Sequence, residues 1–591
     1  MVRPVWVPPV FCVVSTTSTG NQVPVQASVD DLGRLLHEDD VTAQLALATT
    51  RLEAALARLG RTPSGLAEVE VLTTDRIALL GVLDVLTDRL AATGARPHTR
   101  IREVDRLDRP GQLVALAATL TPREDPHPEG STMTTSTTVL SAATAVQQAC
   151  PDRVTLPGDP GYDVARLPWN LAVDQRPAAV AVPHTVDEVA RIVRVAAEQG
   201  LRVAPQSSGH AAVPLEGRLA ESVLLRLSEL TGVEVDVERR VARVTGGTLW
   251  ADVVAAAAPH GLTALHGSSP DVAVAGYALG GGLSFYGREH GLATNSITAV
   301  EVVTADGSLV RADADQNTDL FWAVRGGGGN FGVVVAIELR LLPIADVVAG
   351  MLLWPLERAP EVVPTWVSWT RELPESVTTS LRLMSFPPLP DLPPFLSGRR
   401  IVVIDGAVLE DDARAAELLA PLRALAPEMD TFARIPSADV LAVHMDPPGP
   451  TPNVADHAVL GDLDDAAVEA LLGQVGPGST TSLLFAELRH LGGALGRPAP
   501  DAGVLPRLPG SYALFCAAVA PVPEAAAAGL ADGAALVSAL APWATGEHLL
   551  NFADKVVDTA SGYDAADYAR LRAIKAAVDP RGVFQANHEI A

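Results

Sequence analysis

The stretch VAPQSSGHAAV, Val203 to Val213, sets one imidazole, His210, behind three small residues, Ser207, Ser208 and Gly209. Such a run is either a flexible loop or a place where bare backbone meets a ligand. Its flanks give it a context. RPAAVAVP, Arg176 to Pro183, ends as a short apolar strand, and TVDEVARIVRVAAEQG follows with a capping box at Thr185 and Glu188. An apolar stripe at Val186, Val189, Ile192, Val193 and Ala196 predicts a helix that Gly200 closes, and LRVAP supplies a second strand. QSSG is therefore the turn leaving a strand-helix-strand unit, where main-chain amides can point at an anion.

Two more glycine-bearing runs lie downstream. HGSSPDVAVAGYALGGGLSFYGREHGL, His266 to Leu292, precedes SITAVEVVTADGSLVRAD, which reads as a hairpin turning at Asp306 and Gly307. DLFWAVRGGGGNFGVVVAIELRLLP, Asp319 to Pro343, puts four glycines before Asn330 and then a β-branched strand. Any one run can be a tight turn between packed elements. In this order the three resemble the PCMH-type FAD-binding domain of the vanillyl-alcohol oxidase superfamily, and within it the berberine-bridge-enzyme-like oxidases. The phrases RLMSFPPLP, GRRIVVIDGAVL, LLAPLRALAP and AELRHLGGAL are similar to the substrate domain of those oxidases, and YDAADYARLRAIKAAVDPRGVFQANHEI to their terminal segment. The resemblance spans about residues 150 to 591.

That resemblance implies an FAD bonded through its 8α-methyl to His210, with Gln206, Ser207, Ser208 and Gly209 wrapping the pyrophosphate. Many relatives add a cysteine tether in a GxCPTVG-like phrase. Here the phrase is GSSPDVAVAG and the position falls on Ser269, so a single tether is expected. Gly267, Ser268, Val272, Gly276, Gly280, Gly281, Gly282, Val335 and Asn587 are further cofactor-lining candidates by position. Relatives commonly use the tyrosine of a YxN phrase as base; HLLNFAD keeps Asn551 but has Leu549 at the tyrosine position. Replacement catalytic candidates are Glu487 and His490 in AELRHLGG, Tyr512 and His548. Strand alternation puts Glu487 and Arg489 on one face and Leu488 and His490 on the other, so only one pair can face a flavin.

The 591 residues are 48% hydrophobic and carry 44 Lys and Arg against 70 Asp and Glu, a net charge of −26. That charge argues against nucleic acid or an anionic membrane as partner. Cys12, Cys150 and Cys516 have no paired spacing, so neither a disulfide framework nor a metal site is expected. The apolar start MVRPVWVPPVFCVV is short and broken by prolines, and a cytoplasmic location is expected.

Residues 1–122 resemble the Rid (YjgF-like) family through GNQVPV, an Ala/Leu helix, VEVLTTD and PHTRIREVDRLDRPGQLVALAA. Active Rid deaminases would have an arginine and a glutamate where Thr99 and Ala117 stand, which favours an assembly role, with a homotrimer expected. The expected architecture is α+β: a chorismate-mutase-like Rid domain (1–122), a linker (123–150), an FAD-binding PCMH-type domain (151–345), a substrate domain of antiparallel sheet covered by helices (346–545) and a returning terminal segment (546–591). The expected activity is two-electron oxidation of a small alcohol or amine in secondary-metabolite tailoring, with dioxygen reoxidising the flavin. The alternatives are a Rid-type imine or enamine hydrolase or lyase, and a non-catalytic flavin-binding scaffold.

Overall fold

A computed structural model describes residues 22–27, 41–58, 66–74, 98–103, 113–120, 132–388, 395–446 and 449–591, with single positions at 79, 83, 86, 87, 90 and 393. The chain divides into two units, Met1–Gly130 and Ser131–Ala591. The apolar start and Cys12 lie outside the described residues.

In the first unit, β1 (Gln22–Ala27), β2 (Leu66–Thr73), β3 (His98–Glu103) and β4 (Val114–Leu120) form a sheet in the order β1-β4-β2-β3, and α1 (Val41–Arg58) packs against it. β2 and β3 run parallel, with Thr99 opposite Val69; β4 is antiparallel to β2, with Ala117 opposite Glu70. The helical spacing is realised: Leu45, Ala48, Leu52 and Leu56 are buried with Val69, Val71 and Leu116.

The segment read as a linker differs from expectation over much of its length, because Thr132–Ala149 is a helix. Ala142, Ala143, Val146 and Cys150 recur at helical spacing and are buried in the core of the second unit.

The strand-helix-strand unit forms as read. Thr185 and Glu188 make the reciprocal capping box of helix Val186–Glu198, and Gly200 takes a φ of 76° to end it. Its strands belong to a four-stranded sheet in which Ala179–Ala181 and Arg202–Gln206 each pair in parallel with Ser222–Arg226. A five-stranded antiparallel sheet follows, including the hairpin Ile297–Val303 and Leu309–Asp313, and Gly307 has a φ of 79° at its turn. From Asp346 onward the chain builds an eight-stranded sheet. Helices Ala359–Thr370, Asp412–Arg423, Asp465–Val475 and Pro523–Ala539 bury Trp366, Leu419, Leu471 and Leu536 against one of its faces.

After helix Ala565–Val578 the terminal segment returns to the first of these sheets. Val203 N–H donates to Val583 O at 2.7 Å and Gln585 N–H donates to Val203 O at 2.9 Å, so the segment pairs in parallel beside the strand that delivers QSSGH.

Candidate functional site

The glycine and serine runs and the uncovered face of the large sheet enclose a cavity of about 440 Å³. Ser207–His210 line it at the strand exit, Gly267–Ser269 and Val272 from the second run, Gly326–Asn330 from the third and Asn587 from the terminal segment. Gly276 and Gly328 both face this space, and a Cβ at either would meet nothing within 4 Å. Bare backbone therefore borders open volume, as an extended ligand requires. Gly209, with φ 85°, is glycine for a second reason: a Cβ there would stand 2.8 Å from Pro168 Cβ. Asn330 ties the cradle to the chain end, since its Nδ2 donates to His588 O at 2.9 Å and its Oδ1 accepts from Ile590 N–H at 3.0 Å.

Gln206, Ser207, Ser208, Gly209, His210, Gly267, Ser268, Ser269, Val272, Gly276, Gly280 and Asn587 all line the cavity. Gly281, Gly282 and Val335 do not, which corrects their reading as lining positions. A Cβ on Gly282 would fall 2.5 Å from the Tyr277 ring, and one on Gly281 would approach Leu505 at 3.0 Å, so these glycines admit packing neighbours. Val335 lies on strand Val333–Arg340, where alternation turns it into the core and leaves Val334 on the cavity.

His210 is held on one face and at both edges. Its ring stacks on Trp169 at 4.2 Å between centroids, Nδ1 lies 2.9 Å from Ser208 Oγ, and Nε2 lies 3.6 Å from Asp271 Oδ1. Burial alone would raise the Asp271 carboxyl, but its contacts with His210, Trp169 and Ser269 outweigh this and hold it well below the usual carboxylate range.

The opposite wall comes from the strand Phe485–His490. Alternation resolves there as the period requires: Phe485, Glu487 and Arg489 face the cavity, while Leu488 joins the helix-covered core. Glu487 is fully buried, its Oε1 accepting from Arg489 Nε at 2.9 Å and lying 3.4 Å from His444 Nε2. Its Oε2 is buried without a hydrogen-bond partner. Behind it, His444 Nδ1 sits 2.9 Å from Asp405 Oδ2, and Asp405 also accepts from Arg382 and Ser380, each at 2.6 Å. Burial would raise Asp405, but the charges of His444 and Arg382 dominate and keep it ionised. Ser268 joins the two walls by donating to Asp446 Oδ2 at 2.8 Å and accepting from Arg489 at 3.3 Å.

The other three base candidates lie away from this cavity. His490 stacks on Tyr512 at 5.9 Å, and burial drives its pKa down to about 3, so it stays neutral and inward. Tyr512 OH bonds Thr370 Oγ1 at 2.7 Å, and burial pushes its pKa up. His548 Nδ1 meets His457 Nε2 at 3.0 Å. Leu549 is buried in an apolar cluster, so the position that relatives give to tyrosine is packing here. Asp554 lines the cavity, and burial raises its carboxyl to about 7. Trp169, Asp271, Asp405, His444, Asp446 and Asp554 are not among the sequence candidates, although Asp271, Asp405 and Asp554 stand in quoted phrases; they come together around the cavity from chain segments distant in sequence.

Residues 177–313 match the family model described as an FAD binding domain, and residues 550–591 the one described as berberine and berberine like. An (R)-6-hydroxynicotine oxidase of Paenarthrobacter nicotinovorans is 34% identical over 218 residues, 36% of this chain and 47% of that protein. A xylooligosaccharide oxidase of Thermothelomyces thermophilus is 39% identical over 176 residues, 29% of this chain and 35% of that protein. The chain thus spans less than half the length of these curated relatives. The solved structure of 6-hydroxy-D-nicotine oxidase from Arthrobacter nicotinovorans superposes with a TM-score of 0.64 at 25% identity, covering 73% of this chain and 96% of that one. The second unit is therefore similar to FAD-binding domains over residues 177–313 and to berberine-like segments over residues 550–591, in a fold shared with that nicotine oxidase. Among the described residues, no helix is long and apolar enough to cross a membrane.

Proposed function

We propose that the chain is an FAD-dependent oxidase that removes two electrons from a small alcohol or amine. The observation that carries this is the meeting of three glycine and serine segments and His210 on one cavity, with the free Glu487 oxygen on the wall opposite. The residues fit an FAD: small side chains leave main-chain amides accessible to a pyrophosphate, and His210 offers an imidazole for a single covalent tether. When bound, the flavin supplies the two-electron acceptor, which dioxygen regenerates as it is reduced to hydrogen peroxide.

Glu487 takes the substrate O–H or N–H proton on Oε2, while Arg489 and His444 hold Oε1 and fix the carboxylate plane. His444 is itself braced by Asp405, which fixes the ring that holds Oε1. Phe485, Phe515 and Phe552 form an apolar rim, and ring centroids of 5.8 and 4.9 Å place them as one aromatic surface. With Asp446 and Glu487 beside it, this rim favours an amine carrying an apolar group. Purified protein should be yellow and release peroxide with members of a panel of aryl amines and alcohols. Colourless protein that takes up no supplied FAD would overturn the reading.

The N-terminal unit is assigned an assembly role, following its Rid-like sequence and the Thr99 and Ala117 positions. Light scattering of the full chain should give a trimer mass; a monomer mass would refute it.

A further inference from the structure

Asp271 stands two residues beyond Ser269, and nothing in the sequence marks it as functional. Its carboxylate is fixed by three donors: Trp169 Nε1–H at 2.6 Å, Ser269 Oγ–H at 2.7 Å and the Gly449 amide at 3.3 Å. Trp169 is the same ring that supports the His210 imidazole. The buried Nε2 of His210 has no hydrogen-bond partner, and the Asp271 oxygen at 3.6 Å is the charged group it faces. Ser208 Oγ occupies the other ring edge, at Nδ1.

An ionised carboxylate can only accept, so the ring proton belongs on Nε2 and the lone pair on Nδ1, where the Ser208 hydroxyl donates to it. We propose that Asp271 is a positioning residue for flavin attachment: it holds the His210 proton on Nε2 and so leaves Nδ1 as the nitrogen that bonds the flavin 8α-methyl carbon. This rests on the FAD reading above. In the step, a methyl C–H bond breaks and an N–C bond forms. The methyl proton is lost to solvent, and the imidazole, cationic once Nδ1 is alkylated and paired with the Asp271 carboxylate, then releases its Nε2 proton to solvent. The two electrons pass to the flavin ring and from there to dioxygen, which takes up two protons to become hydrogen peroxide. Asp271 contributes as the carboxylate of a carboxylate-histidine pair does, by fixing the tautomer and balancing the positive charge that develops on the ring. Ser269 fits the same arrangement, because its hydroxyl is spent on aiming Asp271.

The test uses flavin-free full-length protein incubated with FAD in air, with acid precipitation at intervals and flavin measured in pellet and supernatant. Wild type should accumulate acid-stable flavin. Asp271→Asn keeps an acceptor for Trp169 and should bind FAD while tethering at least about tenfold more slowly, and Asp271→Glu should restore the rate. Ser269→Ala, which removes one donor from Asp271 and leaves the carboxylate in place, should slow tethering by a smaller factor and supports the proposal should Asp271→Asn fail to fold. Tethering by folded Asp271→Asn at the wild-type rate, or no slowing in Ser269→Ala, overturns the role of Asp271 and leaves the cofactor reading intact. Acid-stable flavin on His210→Ala, or complete release of flavin from wild type, overturns the tether itself. No binding of FAD by any of these proteins overturns the cofactor reading.

Discussion

The two walls of the cavity are built on opposite plans. One is made by leaving side chains out, at Ser207–Gly209, Gly267–Ser269 and Gly326–Gly329. The other is made by burying charged side chains together: Glu487, Arg489, His444 and, behind them, Asp405 and Arg382. On the proposed FAD reading, the first wall binds through main-chain amides. The second leaves one carboxylate oxygen of Glu487 free while the charges around it pair with one another, an arrangement that costs desolvation.

Substitutions separate the two plans. Glu487→Gln should leave flavin content unchanged and lower kcat by about 10²-fold or more, since a positioned base contributes that much. Stopped-flow reduction of the bound flavin by substrate would check it, and unaltered reduction would assign the base elsewhere. Asp405→Asn strips the buried partner from His444 and Arg382, with an expected loss of about 3–5 kcal/mol in stability by denaturant unfolding. A variant as stable as wild type would mean that the charge network is not a closed unit. On the glycine wall, Gly276→Ala should weaken FAD binding about tenfold or more with little change in melting temperature, because the new Cβ enters open cavity space and meets no protein atom within 4 Å.

The same contrast explains what could be read beforehand. The glycine wall is local: a turn after a strand, a capped helix and a run of glycines each leave their mark on contiguous residues, so the cradle and His210 stood out in the sequence. Glu487 and Arg489 were reachable because alternation on one strand divides four residues into two faces, although the choice of face needed the helices that cover Leu488. His444, Asp405 and Asp271 left no mark, since LAVHMD, IVVIDG and SSPDVA become a site only when strands far apart in sequence come together. Gly281, Gly282 and Val335 show the reverse failure. A glycine run does not say which of its members faces a ligand and which admits a neighbouring Tyr277 or Leu505.

Smaller effects sharpen the comparison. Asp554 has a folded-state pKa of about 7, raised by burial above its unfolded value, so its native state holds a proton that the unfolded chain releases. Its contribution to stability is present below about pH 4 and is lost as pH rises through 7. Asp554→Asn should therefore gain on wild type in melting temperature across that window, and a difference independent of pH would contradict the burial assignment. His490→Leu should change kcat/KM least of all, less than about threefold, because the side chain lies on the far face of the strand that presents Glu487. A large loss of flavin reduction in that variant would show that the wrong face has been assigned to catalysis.

The intact mass of the denatured full-length chain tests the central claim most directly. Wild type should run heavier by one FAD less two hydrogens, and His210→Ala should run at the mass of its bare chain. A bare-chain mass for wild-type protein purified with flavin would contradict His210 as the anchor of the cofactor.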